Sequence, residues 1–340
     1  GTKEFYKILF AVLDSVGIIG NLVVILTILP NEKMRSGVYS LLCNLAVSDL
    51  LFAVLVPFHI NQLTEDYIWH FGATFCKIYY FSYRSLYNVS MLFLVVITIQ
   101  RFRATQSPVV FRFTSRTGNC TMIIACWLLG GIIALPFLFV IKYISYGAGN
   151  NRCFQEWPND KIKQTYYICM YTLLYILPFL LMAVLYGAMF VTLRKPYVGN
   201  VNETQRRQLK KRKRVSLIVG IIVLMFFICW TPRIFLEFIL IMDLTAENNS
   251  ELPTAFNYSL LLVVMNTVVN PILLNSTSSD FRKGFIGLFR HCSCGNSEAI
   301  SHLAGSVPTC GNQIIELRCS QAQINRIVIE NTSYGKMLAQ

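Results

Sequence analysis

The chain alternates between long apolar runs and short polar stretches. Seven runs of roughly 20 or more residues stand out, over about 6–29, 38–61, 73–100, 119–141, 165–192, 215–242 and 255–275. Each is long enough to cross the ~30 Å hydrocarbon layer of a bilayer as a helix. No water is present in lipid to satisfy backbone N–H and C=O groups, so segments of this length must be helical. The pattern predicts an all-α membrane protein, a bundle of seven transmembrane helices.

The polar stretches differ in charge. Lys33 and Arg35 lie in the first, Arg103, Arg112 and Arg116 in the third, and a dense basic run from Arg194 to Arg214 in the fifth. Arg282, Lys283 and Arg290 follow the seventh run, whereas Glu65, Asp66, Glu156, Asp160, Asp243, Glu247 and Glu251 populate the alternate stretches. Cytoplasmic loops carry the excess of Lys and Arg. The odd-numbered loops and the C-terminus are therefore expected inside, and an odd number of spans then puts the N-terminus outside. The chain begins at Gly1 rather than methionine, and an outer segment is expected to precede it.

Composition agrees with this pattern. Of 340 residues, 54% are hydrophobic and only 14% charged, against about 25% charged in a soluble globular chain. The net charge of +13 could suit nucleic acid. Confined to one set of loops, it instead sets membrane orientation. After the seventh run, Ser279 to His291 places Phe281, Phe285, Ile286, Leu288 and Phe289 among basic residues. This spacing predicts a short amphipathic eighth helix at the inner membrane surface. Cys292 and Cys294 follow as candidates for palmitoylation, with ordinary tail thiols as the alternative. The division expected is a membrane domain over 1–291 and a mostly disordered tail over 292–340.

Of eleven cysteines, Cys43, Cys126, Cys169 and Cys229 fall inside spans. Cys120, Cys292, Cys294, Cys310 and Cys319 fall on the cytoplasmic side, where thiols stay reduced. Cys76 and Cys153 alone face outside and are expected to form a disulfide. Polar residues inside a membrane are costly and call for a reason. Asn21, Asp49, Ser90, Asn266 and Asn270 lie in different spans at similar depth. Oxygen-rich groups around one carboxylate suit a sodium ion with water; interhelical hydrogen bonding is the alternative. Pro57, Pro136, Pro178, Pro232 and Pro271 each fall within a span and can kink it.

Taken in order, the motifs resemble one family. Asn21 in "GN", Asp49 in "NLAVSDL", Cys76, Arg101, Trp127, Pro178 with Tyr186, "FFICWTP" with Phe226, Trp230 and Pro232, and Asn270-Pro271 occur one set per span. Over about 6–291 the chain resembles a rhodopsin-like G-protein-coupled receptor. At 1.5 Å per residue, Cys76 and Arg101 are about 37 Å apart on one helix, which suits opposite faces of a membrane. The resemblance implies that Arg101 is a cytoplasmic switch facing a G-protein, with Gln100, Tyr186 and Arg214 around it. Three features depart from the family. Asp-Arg-Tyr reads Gln100-Arg101-Phe102, the tyrosine of Asn-Pro-x-x-Tyr is Leu274, and the acid at the inner foot of helix six is replaced by Lys211 to Arg214.

The family's ligands enter from outside among helices three, five, six and seven. The level where amine receptors carry an aspartate reads Tyr83-Arg84, which argues against an amine. No lysine occurs from Asn257 to Asn275 to hold retinal. Trp230 faces the bundle in the family, and Arg233 and Glu237 share its helix face. With Arg84 at comparable depth, these make either a site for an acidic ligand group or a structural ion pair between Glu237 and one arginine. Tyr83, Tyr87, Tyr166, Tyr167 and Phe256 would supply aromatic walls. A looser likeness to receptors for short neuropeptides makes an extracellular peptide the expected ligand. A heterotrimeric G-protein, arrestin, receptor kinases and membrane lipid are the expected partners. The resemblance implies a receptor in the plasma membrane, and the alternative is a non-signalling scavenger of the same fold. No enzyme motif occurs, and no broken-helix pair suggests a transporter.

Overall fold

The computed structural model describes residues 2–31, 34, 37–65, 67–106, 116–147, 149–194, 203–242, 251–277, 281–282 and 284–286. Helices α1 (Thr2–Ile28), α2 (Val38–Thr64) and α3 (Gly72–Gln106) come first. α4 (Arg116–Ala134) and the short α5 (Pro136–Val140) precede a hairpin of β1 (Ile141–Ser145) and β2 (Asn151–Gln155). Then come α6 (Asp160–Tyr171), one π-helical turn (Thr172–Ile176), α7 (Leu177–Arg194), α8 (Glu203–Met242) and α9 (Glu251–Thr277). Among the described residues, seven helical stretches are long and apolar enough to span a membrane. The fourth joins α4 to α5, and the fifth joins α6, the π turn and α7.

The bundle buries some apolar residues and turns others outward. α3 is the most buried span and packs against α2, α4, α7, α8 and β1. Large apolar side chains such as Ile8, Phe139, Val184 and Leu217 point away from the protein. A contiguous apolar exterior is unsuited to water and suits lipid. α3 and α4 approach closely at Gly130, whose carbonyl accepts from Asn88 Nδ2 at 3.2 Å. A Cβ there would meet Val89 Cγ2 at 2.4 Å and the Val89 backbone nitrogen at 3.1 Å. Trp127 Nε1 on α4 donates to Asn44 Oδ1 on α2 at 3.1 Å.

The prolines act where they stand. Pro136 opens α5 after the chain breaks from α4. Pro178 has no N–H and its ring would press on the carbonyl four residues back. The π turn just before it widens the helix, with the Leu177 N–H reaching Thr172 O. Pro57, Pro232 and Pro271 lie inside α2, α8 and α9. α8 begins at Glu203, well before the apolar run, because the helix continues through polar sequence, where Arg207 pairs with Glu203 at 2.8 Å. Of the expected eighth helix, Phe281, Arg282 and Gly284 to Ile286 lie among the described residues and are helical, which does not establish it. The tail from 287 onward, with Cys292 and Cys294, lies outside the described residues.

Candidate functional site

The hairpin closes one end of the bundle. β1 and β2 are antiparallel, with Tyr143 opposite Cys153. Cys153 forms the expected disulfide with Cys76 at the start of α3, Cα to Cα 5.9 Å. Gln62 Nε2 on α2 donates to Cys153 O at 3.2 Å, and the Trp69 N–H to Asn151 O at 2.7 Å. The hairpin is thus tied covalently to α3 and by hydrogen bonds to α2 and the loop after it.

Beneath it lies a cavity of about 320 Å³. Tyr83, Arg84, Tyr167, Arg233, Glu237 and Phe256, all named from sequence, line it. Arg84 on α3 and Glu237 on α8 form an ion pair with side chains only 14% and 12% exposed. Arg84 Nη1 bonds Glu237 Oε2 at 3.2 Å and Nη2 bonds Oε1. Tyr171 donates to Glu237 Oε2 at 2.9 Å, Arg84 Nη2 donates to Tyr167 Oη at 3.2 Å, and Tyr167 donates to Gln155 Oε1 of β2 at 2.8 Å. The guanidinium also lies 5.1 Å from the Phe137 ring centre. Such saturation is what a buried pair needs, because unmet lone pairs would leave the desolvation cost uncompensated. Arg233 has a different setting: Nη1 donates to Phe256 O at 3.1 Å, and the guanidinium sits 4.2 Å from the Phe256 ring centre.

Tyr87 and Trp230 lie one layer deeper, in a small void that shares Arg84, Arg233 and Glu237 with the cavity. Their ring centres are 4.5 Å apart. Tyr166 lines a second small void with Arg84, Tyr87 and Tyr167. Its hydroxyl donates to Ile133 O at 3.3 Å and its ring packs on Trp157 and Phe137, which also braces α6 against α4.

Midway along the bundle, Asn270 Nδ2 donates to Asp49 Oδ2 at 2.8 Å. Asn21 Nδ2 donates to Thr267 O and Gly17 O, each at 2.9 Å. Ser90 bonds Ser48 at 2.9 Å. Interhelical hydrogen bonds therefore join these residues. The Oδ1 atoms of Asn21, Asn266 and Asn270 are buried without a hydrogen-bond partner among the described residues. Beside Asp49, the unpartnered amide oxygen of Asn270 adds a second hard oxygen of the kind a small cation takes.

At the opposite end from the hairpin, Arg101 is buried at 7% exposed. Gln100 does not turn to it. Gln100 Nε2 donates to Asn119 Oδ1 on α4 at 2.8 Å, and Asn119 Nδ2 to Gly37 O at 3.4 Å. Tyr186 on α7 lies against Gly220 on α8, where a Cβ would sit 3.1 Å from the ring. Leu274 is buried and Arg214 exposed. The side chains of Lys211 and Arg212 lie outside the described residues.

A family model for the 7 transmembrane receptor (rhodopsin family) matches residues 20–274. The chain belongs to the rhodopsin family of seven-transmembrane receptors. It is 30% identical to the neuromedin-K receptor of Homo sapiens over 84% of this chain and 62% of that protein. It is 30% identical to the allatostatin-A receptor of Bombyx mori over 82% of this chain and 77% of that protein. Identity to the C-C chemokine receptor type 1 of Macaca fascicularis is 31%, over 83% and 78%. The chain spans about three fifths of the length of the neuromedin-K receptors it matches.

Within this rhodopsin-family chain, which is a multi-pass membrane protein and not an enzyme, sequence reasoning missed four residues of the cavity network. Tyr171 was within reach, because it lies one helical turn from Tyr167 and shares its face. Gln155 was not, since the hairpin that delivers it has no apolar alternation. His59 comes from α2, a helix that the family resemblance did not single out for ligand contact, and it is bonded at 2.9 Å to Tyr79 on α3.

Proposed function

We propose that the chain is a plasma-membrane receptor, N-terminus outside, that binds an extracellular peptide and activates a heterotrimeric G-protein. The observation that carries this reading is the cavity: walled by Phe154 and Gln155 of the hairpin, it reaches down to Arg233 and Glu237 on α8. α8 contains Pro232 and runs the length of the bundle to the basic end. A ligand that bonds better to one arrangement of α8 shifts the population toward that arrangement. At the far end such a shift would open a surface beside Arg101 for the G-protein. The relatives' names, for neuropeptides and a chemokine, support a peptide ligand and favour signalling over scavenging.

Further parts of the proposal follow from the same arrangement. A sodium ion with water at Asp49 would engage the unpartnered amide oxygen of Asn270. Arrestin and receptor kinases would meet the basic end, lipid would surround the apolar exterior, and Cys292 and Cys294 would carry palmitate. Agonist-dependent nucleotide release from G-protein heterotrimers in membranes tests the reading. Accelerated GDP release is expected; peptide uptake with no exchange on any heterotrimer identifies a scavenger instead.

A further inference from the structure

Two arginines enter the cavity and share the neighbourhood of one carboxylate, Glu237, which pairs directly with only one of them. Arg84 is matched by Glu237, whose two carboxylate oxygens it engages. Arg233 is 5% exposed, yet among the described residues no carboxylate lies within ion-pairing distance of it. Its guanidinium sits 4.2 Å from the Phe256 ring centre and 5.7 Å from that of Tyr83, and its hydrogen bond goes to a backbone carbonyl. Aromatic faces hold a cation in place but do not neutralise it.

Two other buried polar atoms here have no partner among the described residues, Tyr83 Oη and His59 Nε2. The His59 ring stacks on Tyr83 at 6.2 Å, and its Nδ1 is engaged by Tyr79 at 2.9 Å. Arg233, Tyr83 and His59 all line the cavity. The guanidinium and the phenol can donate hydrogen bonds, and so can His59 Nε2 in the tautomer whose Nδ1 accepts from Tyr79. With Glu237 neutralising Arg84, the buried groups carry one net positive charge. One carboxylate shared between two buried guanidiniums leaves an excess positive charge that is costly, and one monoanion offsets it. A planar carboxylate takes two parallel N–H bonds from a guanidinium. Lys163 at the start of the fifth span also lines the cavity and favours an approaching anion.

We propose that the Arg233 end of the cavity is a carboxylate subsite, which takes the single acidic group of a ligand whose neighbouring portion is apolar or aromatic. This rests on the cavity being the ligand site of the receptor. At about 320 Å³ the cavity is at the small end of ligand pockets, and it admits the end of a peptide, not its length. The carboxylate could be a free C-terminus or an acidic side chain.

The test uses the purified full chain in detergent and three probes: N-acetyl-phenylalanine, its neutral amide, and N-acetyl-aspartyl-phenylalaninamide. Affinity is read from thermal shifts, since a ligand of the folded state raises stability with concentration, and from ligand-observed NMR. At least one acidic probe should bind at least about tenfold more tightly than the neutral amide. Arg233→Gln should bring acid and amide within about twofold of each other. Arg233→Lys keeps the charge but loses the planar fork, and should keep part of the preference. It decides the matter should Arg233→Gln fail to fold. Equal affinity for acid and amide in the parent, no binding of any probe at millimolar concentration, or an undiminished preference in either variant overturns the proposal. Binding of the aspartyl amide assigns the carboxylate to a side chain, and its silence beside a bound N-acetyl-phenylalanine assigns it to a terminus. A chain that binds the acid but drives no exchange under any agonist overturns the receptor reading and leaves the subsite standing. A chain that drives exchange yet does not distinguish acid from amide does the reverse.

Discussion

The two ends of the bundle each bury an arginine of α3, and they hold their surroundings by different means. At the hairpin end, a disulfide fixes the lid and a carboxylate from α8 meets Arg84, with two tyrosines completing the network. At the opposite end, the residue beside Arg101 is a neutral glutamine, and its amide bonds a neutral asparagine on α4. Charge-assisted bonds are roughly twice as strong as neutral ones. The contrast teaches that the cavity end is preorganised, while the segment around Gln100 is joined to its neighbours by bonds that cost less to exchange.

The strongest way to break this contrast is at Glu237. Glu237→Leu leaves Arg84 as an uncompensated buried charge and should destabilise the chain by about 3–5 kcal/mol. Arg84→Leu combined with Glu237→Leu should recover most of that loss, because both charges are then gone. Thermal unfolding in detergent measures both, and a double variant no better than the single one refutes a self-contained pair. Cys153→Ser should cost about 2–5 kcal/mol, as for removal of a native disulfide. Surface expression and thermal unfolding check it, and a variant that traffics and unfolds like the parent would show an idle bridge.

The opposite end should respond less. Asn119→Ala strands the Gln100 amide and should cost about 1–3 kcal/mol, read in the same unfolding assay. An unchanged midpoint would mean that water replaces the asparagine. The smallest effect is expected at Gln100→Asp, which places a carboxylate beside Arg101. If the new side chain turns to the arginine, the resting state gains on the order of 1 kcal/mol, and basal nucleotide exchange falls about fivefold. Unchanged exchange, measured at matched surface expression, would show that this position stays engaged with α4 whatever its charge.

The seven spans could be read from the chain to within a few residues in most cases, because crossing hydrocarbon imposes a length and polarity that any spanning segment must meet. α8 starts ahead of its apolar run for a plain reason: apolar length locates the membrane, whereas the helix runs on to Glu203 in polar sequence. The Cys76–Cys153 bridge was legible because topology left two cysteines on one side. Sequence sets Tyr166 next to Tyr167 without saying how they divide the site: Tyr167 lines the main cavity, while Tyr166 lines the smaller void beside Arg84.

Sequence alone thus determined the seven membrane-length spans, the disulfide, the family and the depth at which Arg84, Arg233 and Glu237 sit. All are consequences of position along a helix axis, where each residue advances by a fixed rise. Tertiary structure decided what lies sideways from that axis. It paired Glu237 with Arg84 and not Arg233, brought Gln155 to Tyr167 through the hairpin, and turned Gln100 toward Asn119. These choices depend on the rotation and packing of neighbouring helices, which join residues as far apart as Arg84 and Glu237 and leave no periodic trace in the chain.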